Sequence, residues 1–363
     1  MANLLKDHQF AEGPYKITPY WQTYNNRIVR EITRNGIGSL LSNYKLLKGF
    51  AEGGKPRVIP PENALKRFIF ETFPKLPVFN RIVAEHQHLL EKYYENYRKL
   101  KIENAKTRLQ YLEKQFGEIP LSFDLDAGNA DDVFEWNDFK VIAKIVPYLE
   151  RTCYFYSTTG EDKPESLLEI GPGLGLSTLC HVILNDKLKR VTNIDIPATL
   201  YLATQFLSTF DVLDVQNYTD FKQNGERETS STKVTCCCLP PWAIEDISQK
   251  HDWLHNAYSF QEMEPDVVRN YLSISSKLIQ KGYWLMSTIG ENTVKTGGQI
   301  DLVTLKLIEN LISKEFEKIN LPVSNLVEMS DKTEETLDLP PCGDPTFKLD
   351  FDTMSRPAVA AGA

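Results

Sequence analysis

The feature that most constrains this chain is the stretch 167–177, Leu-Leu-Glu-Ile-Gly-Pro-Gly-Leu-Gly-Leu-Ser. A short apolar run leads into three closely spaced glycines, and the apolar residues 176–184 behind them read as a helix. A buried strand, a tight glycine turn and a helix form the opening unit of a nucleotide-binding α/β sheet. Glycine lets backbone pass close to a ligand with no Cβ between them. The first helical N–H groups behind the turn have no partner within the helix and are free to meet that ligand.

Spacing narrows the ligand. A dinucleotide fingerprint, G-x-G-x-x-G/A, would put its third small residue at position 176, where the chain has the bulky Leu176. The third glycine comes one place early, in Glu169-Ile-Gly171-Pro-Gly173-Leu-Gly175, and the acidic residue before the glycines would repel a pyrophosphate but suit an ammonium. Arg190-Val-Thr-Asn-Ile-Asp195 is a second strand-like run ending in a carboxylate, about 20 residues on, as a βαβ unit requires. Such a carboxylate can accept both hydroxyls of a ribose, with Ile196 beside it; Pro197 suits the first turn of the next helix. These motifs resemble the first motifs of the class I S-adenosylmethionine-dependent methyltransferases. The resemblance implies an α/β, Rossmann-like sheet of seven strands. It further implies that Gly171, Gly173 and Gly175 line the methionine and ribose parts of S-adenosyl-L-methionine, and that Glu169 lies near its amino group.

Composition excludes several alternatives. The chain has 363 residues and a formal net charge of −8, against the basic surface that nucleic-acid binding needs. No apolar run approaches the ~20 residues of a membrane span, and the first residues do not read as a signal peptide. Six cysteines, at 153, 180, 236, 237, 238 and 342, lack C-x-x-C pairing, which suits a reducing cytoplasm. Cys236, Cys237 and Cys238 read as buried strand, where neighbours face opposite ways and make a poor metal site. No metal is expected.

Residues 1–157 are expected to form a mostly helical domain, 158–330 the methyltransferase domain, and 331–363 an extension ending in a disordered tail. Nothing in residues 1–150 alternates like a strand. Helices are expected behind the aromatic Tyr20, Trp21 and Tyr24, over residues 60–70, over 81–116 and over 136–151, with loops at 117–132 and 158–164. His86 and His88 are two apart and do not share a helical face. The helical half would cover the cofactor cleft and shape a substrate pocket, or serve dimerisation. Trp21 and its neighbours would face substrate or belong to the core.

After the second strand, residues 200–210 read as helix, 214–231 as an irregular polar insert, and 233–239 as a third strand. Trp242, after Pro240 and Pro241, would stack on an adenine or form a structural corner. Residues 251–263 make a strand ending in Asn256, Ser259, Gln261 and Glu262, ahead of a helix that starts at Pro265. Ligands bind beyond the carboxyl ends of such strands. A fifth strand at 282–289, a loop at 290–298, a helix at 301–311 and final antiparallel strands at 316–329 follow.

The string Asn256-x-x-Ser259-Phe-Gln261-Glu262-Met, with Asp195-Ile-Pro197 and the glycine motif, resembles the sugar O-methyltransferase family. The resemblance implies methylation of a sugar or glycoside hydroxyl. An alcohol needs a positioned base; Glu262 is the first candidate, and His255, within the strand, is the second. The bland reading of Glu262 is a helix N-terminal carboxylate, and that of His255 a packed core residue. Gln261, Asn256 and Ser259 would orient hydroxyls, and Ser259 would also border the cofactor. The acceptor is a small molecule or glycan, and homo-oligomerisation is left open. Alternatives are transfer to a phosphate, amine or other natural-product group, and a non-catalytic scaffold that keeps the fold.

Overall fold

The computed structural model describes residues 1–37, 77–128, 130–159, 163–230, 232–287, 304–319, 349–350 and 354–357. The helix expected at 60–70, the loop at 290–298 and most of 331–363 lie outside the described residues. Two compact units are distinguished: Met1–Thr33 with Arg151–Ala363, and Arg34–Glu150. The first 33 residues therefore group with the sheet and not with the rest of the expected 1–157 domain.

Residues 34–150 hold the long helix Pro77–Phe116 and an antiparallel hairpin of β1 (Val133–Trp136) and β2 (Phe139–Ile142). The hairpin corrects the expected absence of strands and the first part of the expected helix over 136–151, whose later part is helical from Val146. Its strands are four residues each, too short for alternation to show. Asn137 and Asp138 both take positive φ, 47° and 66°, the tight turn that matches strand twist and that Asn and Asp tolerate. Within this unit Glu113 Oε1 accepts from Trp136 Nε1 and Asn137 Nδ2, each at 3.0 Å. Leu109, Leu112, Leu125 and Val141 are fully buried.

The sheet lies in the other unit. Its strands are β3 (Ser166–Ile170), β4 (Arg190–Ile194), β5 (Leu213–Gln216), β6 (Val234–Leu239), β7 (His251–Ala257), β8 (Ile279–Ser287), β9 (Phe316–Ile319), β10 (Leu349–Asp350) and β11 (Met354–Pro357). The order is β5-β6-β4-β3-β7-β8-β11-β9, with β10 also paired to β8. The pairs from β5 to β8 are parallel and those of β9, β10 and β11 antiparallel. This is the expected Rossmann-like α/β sheet, with nine strands among the described residues. One additional strand, β5, comes from the stretch expected to be an irregular insert. That stretch also holds the short helix Tyr218–Asn224, whose cap, Asn217 Oδ1, accepts from Thr219 N at 2.8 Å and Asp220 N at 3.1 Å. The antiparallel partner of β9 comes from 354–357, inside the expected tail.

The helices of this unit include α1 (Ala2–His8), α2 (Pro19–Asn35), α4 (Val146–Thr159), α5 (Leu176–Leu184), α6 (Pro197–Leu207) and α8 (Pro265–Leu278); α3 is Pro77–Phe116 and α7 Tyr218–Asn224. Phe155 and Tyr156 of α4 pack on Leu167, Val191 and Trp253 from adjacent strands. Burying each such side chain contributes about 1.5–3 kcal/mol. The direction of strand addition reverses at β3, which has β4 on one side and β7 on the other. The carboxyl ends of these three strands therefore flank the crevice where an open α/β sheet binds ligands. No described helix is long and apolar enough to cross a membrane.

Candidate functional site

The glycine turn joins β3 to α5 with Gly171, Gly173 and Gly175 all at positive φ, 74°, 61° and 82°. Two of them also sit where a side chain has no room. A Cβ on Gly171 would lie 2.4 Å from both Cβ and Oγ of Ser259, and one on Gly175 would lie 2.7 Å from Leu207 Cδ1. Gly175 thus lets α6 pack against the start of α5, and Gly171 lets the loop after β7 close onto the turn. Gly171 N donates to Ile194 O at 2.8 Å, which ties the turn to β4.

Asp195 stands at the end of β4. Its Oδ2 accepts from Gly173 N at 3.0 Å and its Oδ1 from Ile196 N at 2.7 Å. Part of the residue remains open to solvent. Burial of the carboxylate nonetheless pushes its pKa up to about 7, against the pull of the Ile196 and Gly173 amides, and the charges of Glu169 and Glu262 add to the rise. Helix α6 starts immediately after, with Ile196 as a cap that offers no side-chain acceptor. The missing acceptor comes from elsewhere: Ala198 N donates to Oδ1 of Asn25 in α2 at 2.9 Å.

Glu169 is buried, and its oxygens are engaged within the fold. Oε1 accepts from Ser177 Oγ and lies 3.2 Å from His255 Nδ1, while Oε2 accepts from Thr178 Oγ1 at 3.2 Å. Asn193 Nδ2 extends the network by donating to Thr178 Oγ1 at 3.0 Å. His255 is likewise buried, with its ring 4.9 Å from that of His181 and 5.9 Å from that of Phe155. His181 pairs through Nδ1 with Tyr156 OH at 2.9 Å. Burial, then the neighbouring His255, holds its pKa well below the ordinary imidazole range. The carboxylate and both histidines therefore form a polar seam between β3, β7 and the helices packed on them.

Beyond β7 the backbone turns sharply. Tyr258 takes φ 65°, an uncommon conformation for a bulky residue and a strained one, with the Arg151 guanidinium 5.0 Å from its ring centre. The single helical turn Ser259–Glu262 follows. Ser259 Oγ donates to Ile170 O at 2.9 Å, and Asn256 Nδ2 reaches the same carbonyl at 2.8 Å. The side chain of Gln261 lies outside what the structure describes. Burial alone pushes the Glu262 carboxyl up to about 7. Trp21 Nε1 of α2 donates to Glu262 O at 3.4 Å. Tyr271 of α8 is buried, and burial together with Asp195 and Tyr15 raises its phenol pKa.

Gly171, Gly173, Asp195, Ile196, Ser259 and Glu262 thus all lie in the segments that follow β3, β4 and β7. His255 lies below the surface, among packed aromatic rings. Trp242 is a structural corner: its Nε1 donates to Tyr218 OH at 3.1 Å and its ring stacks on His8 at 6.0 Å. Among the described residues no cluster of His, Cys, Asp and Glu could hold a metal ion. Cys236, Cys237 and Cys238 are free thiols buried in β6. Sequence reasoning missed Asn25 altogether. Its only signal is a polar residue on the stripe of α2 that also carries Trp21, Ile28 and Ile32, three of which (Asn25, Ile28 and Ile32) are buried.

No protein-family model matches the chain, and no curated protein does. Among solved structures it is similar to magnesium protoporphyrin IX methyltransferase from Synechocystis PCC 6803 with bound SAH. The identity is 10%, over 62% of this chain and 89% of that one, with a TM-score of 0.36. It is also similar to the cyclopropane synthase MmaA2 from Mycobacterium tuberculosis, at 14% identity, 58% and 71% coverage and a TM-score of 0.33. The N-terminal domain of EvdMO1 in the presence of SAH and D-fucose matches at 11% identity, 72% and 97% coverage and a TM-score of 0.33. Likenesses this loose carry no functional weight. The assignment of an open, Rossmann-like α/β sheet rests on the strand order and the parallel pairing around β3.

Proposed function

We propose that this chain is an S-adenosylmethionine-dependent O-methyltransferase acting on a hydroxyl of a sugar or glycoside. One observation carries the cofactor reading. Asp195, at the carboxyl end of β4, accepts from the amides of Gly173 and Ile196 and is only partly buried as a residue. A carboxylate fixed there, beside a glycine turn, suits the paired hydroxyls of a ribose. The positive-φ turn and the amide-rich start of α5 suit the adjoining part of such a ligand. Glu169 also has a structural part beside the one its motif implies. With both oxygens engaged, it holds the first turn of α5 through Ser177 and Thr178.

When bound, the cofactor supplies a methyl group on a sulfonium, an electrophile whose leaving group is a neutral thioether. The protein's share is alignment in a pocket shielded from water and removal of the acceptor's proton. Glu262 fits the second task. It lies in the helical turn after β7, and its pKa near 7 places a carboxylate base close to the working pH, where general-base catalysis is most effective. Glu262 would take up the proton that the acceptor hydroxyl gives up on methylation. Asn256 and Ser259 hold the Ile170 carbonyl and fix the floor of the site. The sugar acceptor rests on the resemblance of the 256–263 string alone.

Calorimetric titration of the protein with S-adenosylmethionine, S-adenosylhomocysteine and NAD tests the cofactor. Micromolar binding of the first two, absent for NAD and lost in Asp195→Ala, is the expected result. Folded protein that binds none of them would overturn the reading in favour of a scaffold, whose supporting observation is the internally satisfied Glu169. A panel of sugars, phosphates and amines, followed by mass spectrometry for an added methyl group, then tests the acceptor.

A further inference from the structure

Resting on the cofactor reading above, we infer that Asn25, in the helix before the sheet, is a positioning residue for Asp195. Helix α6 begins at Pro197 behind Ile196, which has no side-chain acceptor, so the first free N–H is that of Ala198. The acceptor it finds is Asn25 Oδ1 at 2.9 Å, 173 residues away in sequence. Asn25 is 1% exposed, so in the native chain the bond is shielded from water.

A competing acceptor by sequence position is the carboxylate of Asp195 itself. It lies three residues before Ala198, the separation at which a side-chain oxygen normally caps a helix. Capping α6 would require Asp195 to turn away from Gly173 N, which it now engages at 3.0 Å, and from the crevice. Asn25 removes that competition. By supplying the cap from α2, it leaves Asp195 bonded to the glycine turn. Trp21, one helical turn earlier on the same face of α2, reaches the backbone of Glu262 at 3.4 Å. The helix therefore bonds to the segments that follow the two strands, one just past Asp195 and one at Glu262, and Ile28 and Ile32 on its stripe are buried.

The test compares Asn25→Ala, Asn25→Asp and Ile28→Ala in the full chain. Ile28→Ala empties a core position of the same helix without touching the cap. The readouts are S-adenosylhomocysteine affinity by calorimetry, thermal midpoint, and hydrogen exchange of the amides over 196–200. Asn25→Ala is expected to weaken binding about tenfold, the upper part of the range for a lost cap, and to speed exchange at Ala198. Asn25→Asp, which keeps the acceptor, restores affinity to within about threefold of wild type. Ile28→Ala lowers the midpoint while leaving affinity and Ala198 protection near wild type. Affinity that follows the thermal midpoint across all three variants, or an Asn25→Ala protein that binds like wild type, would overturn the inference. If wild type binds no S-adenosylhomocysteine, the cofactor reading fails. The exchange data then decide the cap separately, and equal Ala198 protection in Asn25→Ala and wild type would overturn that as well.

Discussion

Replacing Gly171 by alanine tests the close approach on which the site is built. The new Cβ would stand 2.4 Å from Ser259 Cβ and Oγ, and the residue would have to hold φ 74°. A left-handed conformation costs an L-residue about 1–2 kcal/mol, and forcing an atom into filled space costs about 1–3 kcal/mol. A loss of about 2–5 kcal/mol follows from the two together. Ser259 cannot simply rotate away, because its Oγ donates to Ile170 O at 2.9 Å. The assay is urea denaturation followed by circular dichroism on wild type, Gly171→Ala, Ser259→Gly and the double variant. If the overlap is real, the second substitution relieves the first, and the cycle shows a favourable coupling of about 1–3 kcal/mol. The backbone cost remains in the double variant. Additivity within about 0.5 kcal/mol would refute the reasoning, since it would mean that Ser259 and the turn do not meet.

Glu262→Gln should lower the methyl-transfer rate by about 10²–10⁴ while S-adenosylhomocysteine binding is retained, measured by steady-state kinetics beside calorimetry. Wild-type kcat/KM should fall as pH drops through about 7, where Glu262 and Asp195 take up protons. Stability should respond in the opposite sense. Glu262 keeps its proton in the native state up to about 7 but loses it near 4.5 when unfolded, so its stabilising contribution is complete below 4.5 and lost as pH rises to 7. Glu262→Gln should therefore raise the thermal midpoint at pH 8 and leave it nearly unchanged at pH 4, and equal shifts at both would contradict the burial of the carboxylate. Trp242→Phe should lose the bond to Tyr218 OH, about 1 kcal/mol of stability, with cofactor affinity unchanged. A large drop in affinity would instead place the indole against the ligand.

The α/β class was legible because its signals are local. An apolar run, a glycine turn and a helix start occupy eleven consecutive residues, and Asp195 follows at the distance of one βαβ unit. The hairpin around Asn137 and the edge strand Leu213–Gln216 escaped because four residues carry too little periodicity, although Asn137-Asp138 was a readable turn signal. Asp195 was placed by its spacing from the glycine turn, and Glu262 by its position just past a strand, since parallel strands deliver their last residues to one edge.

What sequence by itself determined was therefore the frame: the central strands around the glycine turn, where the backbone must turn left-handed, and which acidic residues lie near that turn. Tertiary structure decided how each group is used. Glu169 is drawn inward because Ser177, Thr178 and His255 arrive from three other positions to satisfy it. Asn25 completes a helix 173 residues away. Trp242 is claimed by Tyr218 and His8 before any ligand reaches it. A side chain's partner depends on distances between segments that no local pattern encodes, so the chemistry available to each residue is settled only when the chain has closed around it.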